Sequence, residues 1–242
     1  MGRPPAGWRG ERPHRFRSRG DSYAGPSYRR PVTGTAPIDA AAIDPGETLL
    51  IAGPAMTAKR RLVLDVLAGR GDRAAAVVTT RKSASTIERE FGETVDPAAW
   101  RFRVIDCVSR QHSRGRVADT EEVRYVSSAG DLTGAGIKLS GVLQEFYHDP
   151  DVEVAGIGLH TLSAMLMYAD VRRVYQFVHV ITGRIDSSGF VGAFALDTVP
   201  GDTEAMDRLA GLFDGMIEVR DEPDRSLRGR GTDAAPDEWT AF

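Results

Sequence analysis

The sequence predicts an α/β fold with a mainly parallel central sheet flanked by helices. Two observations lead there. Short, continuous apolar runs recur between residues 44 and 220, and amphipathic stretches with helical spacing alternate with them. Runs that are apolar at every position suit strands buried on both faces, the setting of a parallel sheet covered by helices. With 242 residues, 41% of them hydrophobic, the chain can enclose one sizeable core. One domain with tails is therefore expected.

The elements follow in order. Thr48-Leu-Leu-Ile-Ala-Gly53 is a short buried strand. Lys59–Gly69 is a helix that turns Leu62, Val63, Val66 and Leu67 to one face, with Gly69 as its C-cap. Residues 74–80 are the second strand and residues 84–91 a short helix. Residues 102–107 form the third strand, and residues 123–127 a short additional one. The glycine-rich turn over 127–138 offers Asp131 or Thr133 as a cap. It leads into a helix over 136–148 with Leu139, Val142, Leu143 and Phe146 on one face. Residues 152–159 are the fourth strand, and 169–182 a helix carrying Val171, Val174, Tyr175 and Val178. A strand over 190–196, a helix over 203–213 and a strand over Gly215–Arg220 complete the body.

The flanks differ in kind. Residues 1–43 are rich in Gly, Pro, Ser and Arg, with Trp8, Phe16, Tyr23 and Tyr28 interleaved. Such a segment buries too little apolar area to offset its ordering entropy, so a disordered arm is expected. It reads as a solvated tail, or as an arm whose arginines meet phosphates and whose rings stack on bases. Residues 221–242 are polar and read as an extended, disordered tail, with Trp239 and Phe242 docking on the body.

Charge and composition exclude several classes. Residues 1–30 hold eight arginines against Glu11 and Asp21, a balance of +6 within a net charge of −3. The rest carries 23 basic and 32 acidic residues, a balance of −9. An acidic body with only three lysines, Lys59, Lys82 and Lys138, suits a halophilic cytoplasm. No apolar run approaches the roughly 20 residues that span a bilayer, so no membrane role is expected. The N-terminus has no hydrophobic signal core, so a cytoplasmic location is expected. The single cysteine, Cys107, rules out a disulfide scaffold and reads as core, as do Met165 and Met167. Arg172 and Arg173 read as a solvated helix face or a subunit contact.

In parallel sheets, ligands bind at the carboxyl ends of the strands. The turn after the first strand is Gly53-Pro-Ala-Met-Thr57-Ala58-Lys59-Arg60. A phosphate-binding P-loop reads G-x-x-x-x-G-K-[ST] between a strand and a helix. Gly53 and Lys59 fit; Ala58 replaces the second glycine, and Arg60 the magnesium-ligating hydroxyl. Later, His160-Thr-Leu-Ser163 leads into an apolar run, and the stretches 179–184, 190–197 and 213–220 follow. In these stretches and their order, residues 44–220 resemble the RecA-like ATPases, especially the KaiC/RadA-type branch found across archaea. The closing Trp239 pattern is similar to that of halophilic archaeal relatives of this branch with no settled function.

The resemblance implies ATP and magnesium chemistry, and the chain departs from it at three positions. Arg60 cannot ligate magnesium. His160 stands where the Walker B carboxylate is expected, and the nearest acids, Glu153 and Asp170, lie outside the motif. The general-base glutamate expected after the second strand is missing from Thr79-Thr80-Arg81-Lys82, and the next carboxylate is Glu88. A base has to lie within about 3 Å of the attacking water, or act through one further water. These departures together point to a non-hydrolysing relative with no catalytic residue assigned. The candidate nucleotide-binding residues are Gly53, Thr57, Ala58, Lys59, Arg60 and His160. Lys59, Arg60 and the helix N-terminus would hold ATP or ADP without magnesium. Against this, Ala58 resists a positive φ and Pro54 removes a loop donor.

Three functions follow. The preferred one is a degenerate RecA/KaiC-like binding, regulatory or oligomerisation module, assembled with itself, with RecA-like proteins or with regulatory proteins. The second is an unconventional nucleotide-binding ATPase or sensor using Lys59 and Arg60. The third is a DNA-recombination accessory protein that uses the basic residues 1–30.

Overall fold

A computed structural model describes residues 38–112, 118–199, 201 and 204–242. The expected nucleic-acid contact over residues 1–30 lies outside the described residues. The strands are β1 (Thr48–Gly53), β2 (Ala74–Thr79), β3 (Arg101–Asp106), β4 (Val123–Tyr125), β5 (Gly156–His160), β6 (Val191–Asp197), β7 (Gly215–Arg220), β8 (Ser226–Arg230) and β9 (Thr240–Ala241). The helices are α1 (Lys59–Gly69), α2 (Ala84–Gly92), α3 (Ser109–His112), α4 (Leu132–His148), α5 (Leu162–Leu166), α6 (Val171–Ser188) and α7 (Glu204–Leu209).

The nine strands among the described residues join one sheet in the order β4-β3-β2-β5-β6-β1-β7-β8-β9. From β4 to β7 every pairing is parallel; β8 and β9 add on antiparallel. The fully apolar strands β1 and β2 are buried at every position, as a sheet covered on both faces requires. One core layer lies between the sheet and α4, α5 and α6, around Leu139, Phe146, Phe177 and Phe194. The other lies beneath α1 and α2, around Leu62, Leu67, Ile87 and Phe91. Helix α1 sits close on β5, where a Cβ built on Gly158 would lie 2.8 Å from the Val63 side chain. Only glycine permits that approach.

Several expected boundaries move, each for a physical reason. Helix α4 starts at Leu132 because the Asp131 carboxylate accepts from the Gly134 N–H, which makes Asp131 the cap. Helix α6 runs past Gly183 to Ser188, carried by the buried Ile185, and stops at Gly189 with φ 67°. At the end of α1 the left-handed residue is Gly71, with φ 74°, not Gly69. Strand β5 begins only at Gly156, after a turn in which the Asp149 carbonyl accepts from the Val152 N–H. Met165 is buried as expected, whereas Met167 is 78% exposed.

The largest correction concerns residues 221–242. They form β8 and β9 and extend the sheet beyond β7. Leu227, Ala234 and Ala235 are buried against the α1 side of the core, and Phe242 packs on it. Trp239 is covered by two guanidiniums, Arg220 at 4.3 Å and Arg228 at 4.5 Å from the ring centroid. No helix among the described residues is long and apolar enough to cross a membrane.

Candidate functional site

The carboxyl ends of β1, β2, β5 and β6 surround a cleft of about 620 Å³. The β1–α1 turn forms one wall with Thr57, Ala58, Lys59 and Arg60. Arg81 and Lys82 enter from the end of β2, His160 from β5 and Asp197 from β6. Gly53 lies just beneath the turn. A Cβ there would fall 2.4 Å from the Val219 carbonyl oxygen, so the close passage of β7 requires glycine at this position.

The turn keeps a looped form at a cost. Met56 and Ala58 adopt left-handed conformations, with φ 66° and 65°. Each costs on the order of 1 kcal/mol for a residue bearing a Cβ. Ala58 is the N-cap residue of α1 but offers no side-chain acceptor. The first N–H groups of α1 are therefore uncapped and carry the positive end of the helix dipole.

Lys59 is buried, with its side chain 2% exposed. Its ammonium lies 2.9 Å from the Gly53 carbonyl and 3.1 Å from Thr57 Oγ1, and it also donates to the Pro54 carbonyl. Asp197 Oδ1 lies 3.0 Å away as its counter-ion. Four protein acceptors thus face three N–H donors. Burial holds the Lys59 pKa below its ordinary value, and the bond to Asp197 counters that effect. Arg60 makes a two-toothed pair with Glu90 of α2, at 2.6 and 2.8 Å. The two cations expected to serve phosphate are both engaged by carboxylates. Arg81 shares Asp197 at 3.3 Å, while the Lys82 ammonium has no partner among the described residues.

His160 is held by the residue after β2. The Thr80 N–H donates to the His160 carbonyl at 2.9 Å, and the Thr80 hydroxyl bonds both polar backbone groups of Thr161. Burial, then the Arg60 charge, push the His160 imidazole down to a pKa of about 4. It is neutral at pH 7, and its buried Nδ1 has no partner among the described residues. Ser163, from the same motif, accepts from the Asp197 N–H at 2.6 Å and fixes the end of β6.

The structure thus brings five of the six expected residues to one cleft and places Gly53 under it. Sequence reasoning missed Asp197, Arg81 and Lys82 as members. Asp197 had one signal, its place at the carboxyl end of a strand. Glu153 and Glu88 do not line the cleft. Magnesium, which the resemblance implies, prefers a set of oxygen ligands. The only carboxylate among the described lining residues is Asp197, already bound by two cations, so the donor set does not fit that ion.

A protein-family model described as a family of unknown function (DUF7504) matches residues 46–219. No curated protein matches the sequence. Among solved structures, the chain is similar to a KaiC-like protein from the hyperthermophilic archaeon Pyrococcus horikoshii. The TM-score is 0.54 over 82% of this chain and 84% of that one, at 12% identity. At that identity the likeness is one of fold, and the fold is RecA-like.

Proposed function

The chain belongs to the DUF7504 family, and from that premise we propose that it is a RecA-like module that does not hydrolyse nucleotide and acts by binding. Its role is regulatory or structural, in assemblies with its own copies, with RecA-like proteins or with regulatory proteins. The observation that carries this reading is the state of Lys59. The lysine that would grip a phosphate instead ties the loop to Asp197 and to the loop's own carbonyls. With Arg60 bound to Glu90, Asp197 held by Lys59 and Arg81, and His160 neutral, the described lining residues offer no free carboxylate to activate water or hold magnesium.

A second reading, metal-free binding of ATP or ADP, is supported by a different observation. Arg81, Lys82 and the uncapped start of α1 face the cleft with a single carboxylate among them. Descent from the KaiC/RadA branch and a halophilic cytoplasm complete the proposal; the order of motifs and the acidic, lysine-poor body support them.

Phosphate release from ATP, measured with and without magnesium, tests the main reading. We expect no turnover above buffer, and Lys59→Ala should leave that baseline unchanged. The same substitution should lower unfolding stability by roughly 1–3 kcal/mol, because it removes the donor shared by the Gly53 and Pro54 carbonyls and leaves Asp197 with Arg81 alone. Turnover that Lys59→Ala abolishes would overturn the proposal. Calorimetric titration with ATP in EDTA tests the second reading, which requires binding that Arg81→Ala with Lys82→Ala weakens.

A further inference from the structure

Away from the cleft, α4 and α6 pack side by side on one face of the sheet. An open groove of about 720 Å³ runs between them. Gly136 and Ile137 line it from α4; Phe177 and Val180 line it from α6. Two of these are unusually bare for aliphatic side chains on a folded domain, Ile137 at 68% and Val180 at 52% exposure. Arg173 and Arg184 also line the groove, on either side of Val180 along α6.

The charge pattern is specific. Positions 173, 177, 180 and 184 fall on one helical face, at i, i+4, i+7 and i+11. Eleven residues of helix set the two positions about 16 Å apart along the axis. Neither side chain has a partner among the described residues. No acidic side chain lines the groove among those residues, although the chain beyond residue 30 has a balance of −9. A trough with Ile137, Phe177 and Val180 in its lining, uncharged polar side chains (Ser140, Gln144, Gln176) beside them and a cation toward each end, on an otherwise acidic body, is the complement of an amphipathic helix with carboxylates three turns apart.

We propose that the α4–α6 groove is a docking site for such a helix, supplied by a partner protein. Its apolar residues lie over Ile137 and Val180, and its two carboxylates meet Arg173 and Arg184. A nucleic-acid strand fits less well, because between Arg173 and Arg184 the described lining offers only apolar and uncharged side chains where phosphates would need cations. The proposal is independent of what the cleft binds.

The test uses the full chain and a designed, fluorescein-labelled helical peptide. The peptide carries two glutamates eleven residues apart, with leucines between them on the same face. Fluorescence anisotropy should show saturable binding. Arg173→Glu with Arg184→Glu should weaken it about tenfold or more. A peptide with lysines in place of the two glutamates should recover binding to that charge-reversed variant. Ile137→Asp, at an exposed position and with its fold checked by circular dichroism, should also weaken it. Failure of the acidic peptide to bind, or binding indifferent to charge reversal, would overturn the proposal. So would preferential binding of a single-stranded oligonucleotide by these arginines. A dimer seen by sedimentation and dissolved by Ile137→Asp would assign the groove to a second copy instead.

Discussion

His160 shows most clearly how one residue can set a solution property. Its imidazole is buried beside Arg60, Lys59 and Arg81, and its pKa falls from 6.5 to about 4. The unfolded chain takes up a proton on this residue near pH 6.5, and the folded chain resists until about pH 4. Between those values the unfolded state binds more protons, so this residue's contribution to stability is lost as pH falls. The thermal midpoint of the wild type should therefore drop more steeply across that window than that of His160→Gln. Equal slopes would show that the imidazole is not desolvated as described. Sequence alone identified His160 as the odd residue in its motif. It could not show that Thr80, distant in the chain, pins the adjoining peptide groups and sinks the ring among cations.

Elements were legible where local pattern and tertiary setting agree. Strands β1 and β7 and helix α1 fall on the expected residues, because each has an unbroken apolar face and a turn at either end. The sequence places the start of helix α4 one turn late, since its first turn is glycine-rich and its start depends on a side-chain cap. That cap is testable. The Asp131 carboxylate is held below its ordinary pKa first by the Gly134 N–H and then by the Ser127 hydroxyl. Asp131→Ala should cost about 1 kcal/mol in urea unfolding at neutral pH. The depressed pKa means the cap's contribution holds above the ordinary aspartate range and fades as pH falls below it. The gap between wild type and variant should therefore narrow in acid. The cleft was legible in part for a related reason. The β1–α1 turn is contiguous in sequence, whereas Asp197 joins it only because β6 happens to lie beside β1.

At the scale of the whole molecule, the segment 221–242 is the part the sequence concealed. Strand β8 contributes three buried residues, Ser226, Leu227 and Gly229, alongside Arg228 and Arg230. Its position is fixed by the antiparallel ladder with β7, by Glu218 across that hairpin with Arg228 at 2.5 Å and Arg230 at 3.0 Å, and by the arginine cover on Trp239. Ending the chain after Arg220 would bare the edge of β7, and unpaired edges recruit other chains. Such a truncation should lower the urea midpoint and show concentration-dependent association by light scattering; a monomer of unchanged stability would contradict this account. The strand order carries one further consequence, for the birth of the molecule. Strand β1 is made early, yet both of its neighbours, β6 and β7, come from the last third of the chain. At about 5–20 residues per second, synthesis separates β1 from β7 by roughly 10–30 s. During that interval the nascent chain displays a bare apolar strand with both flanks open. The centre of the sheet cannot close until residue 220 has emerged from the ribosome, so β1 waits unpaired through most of the synthesis of the body.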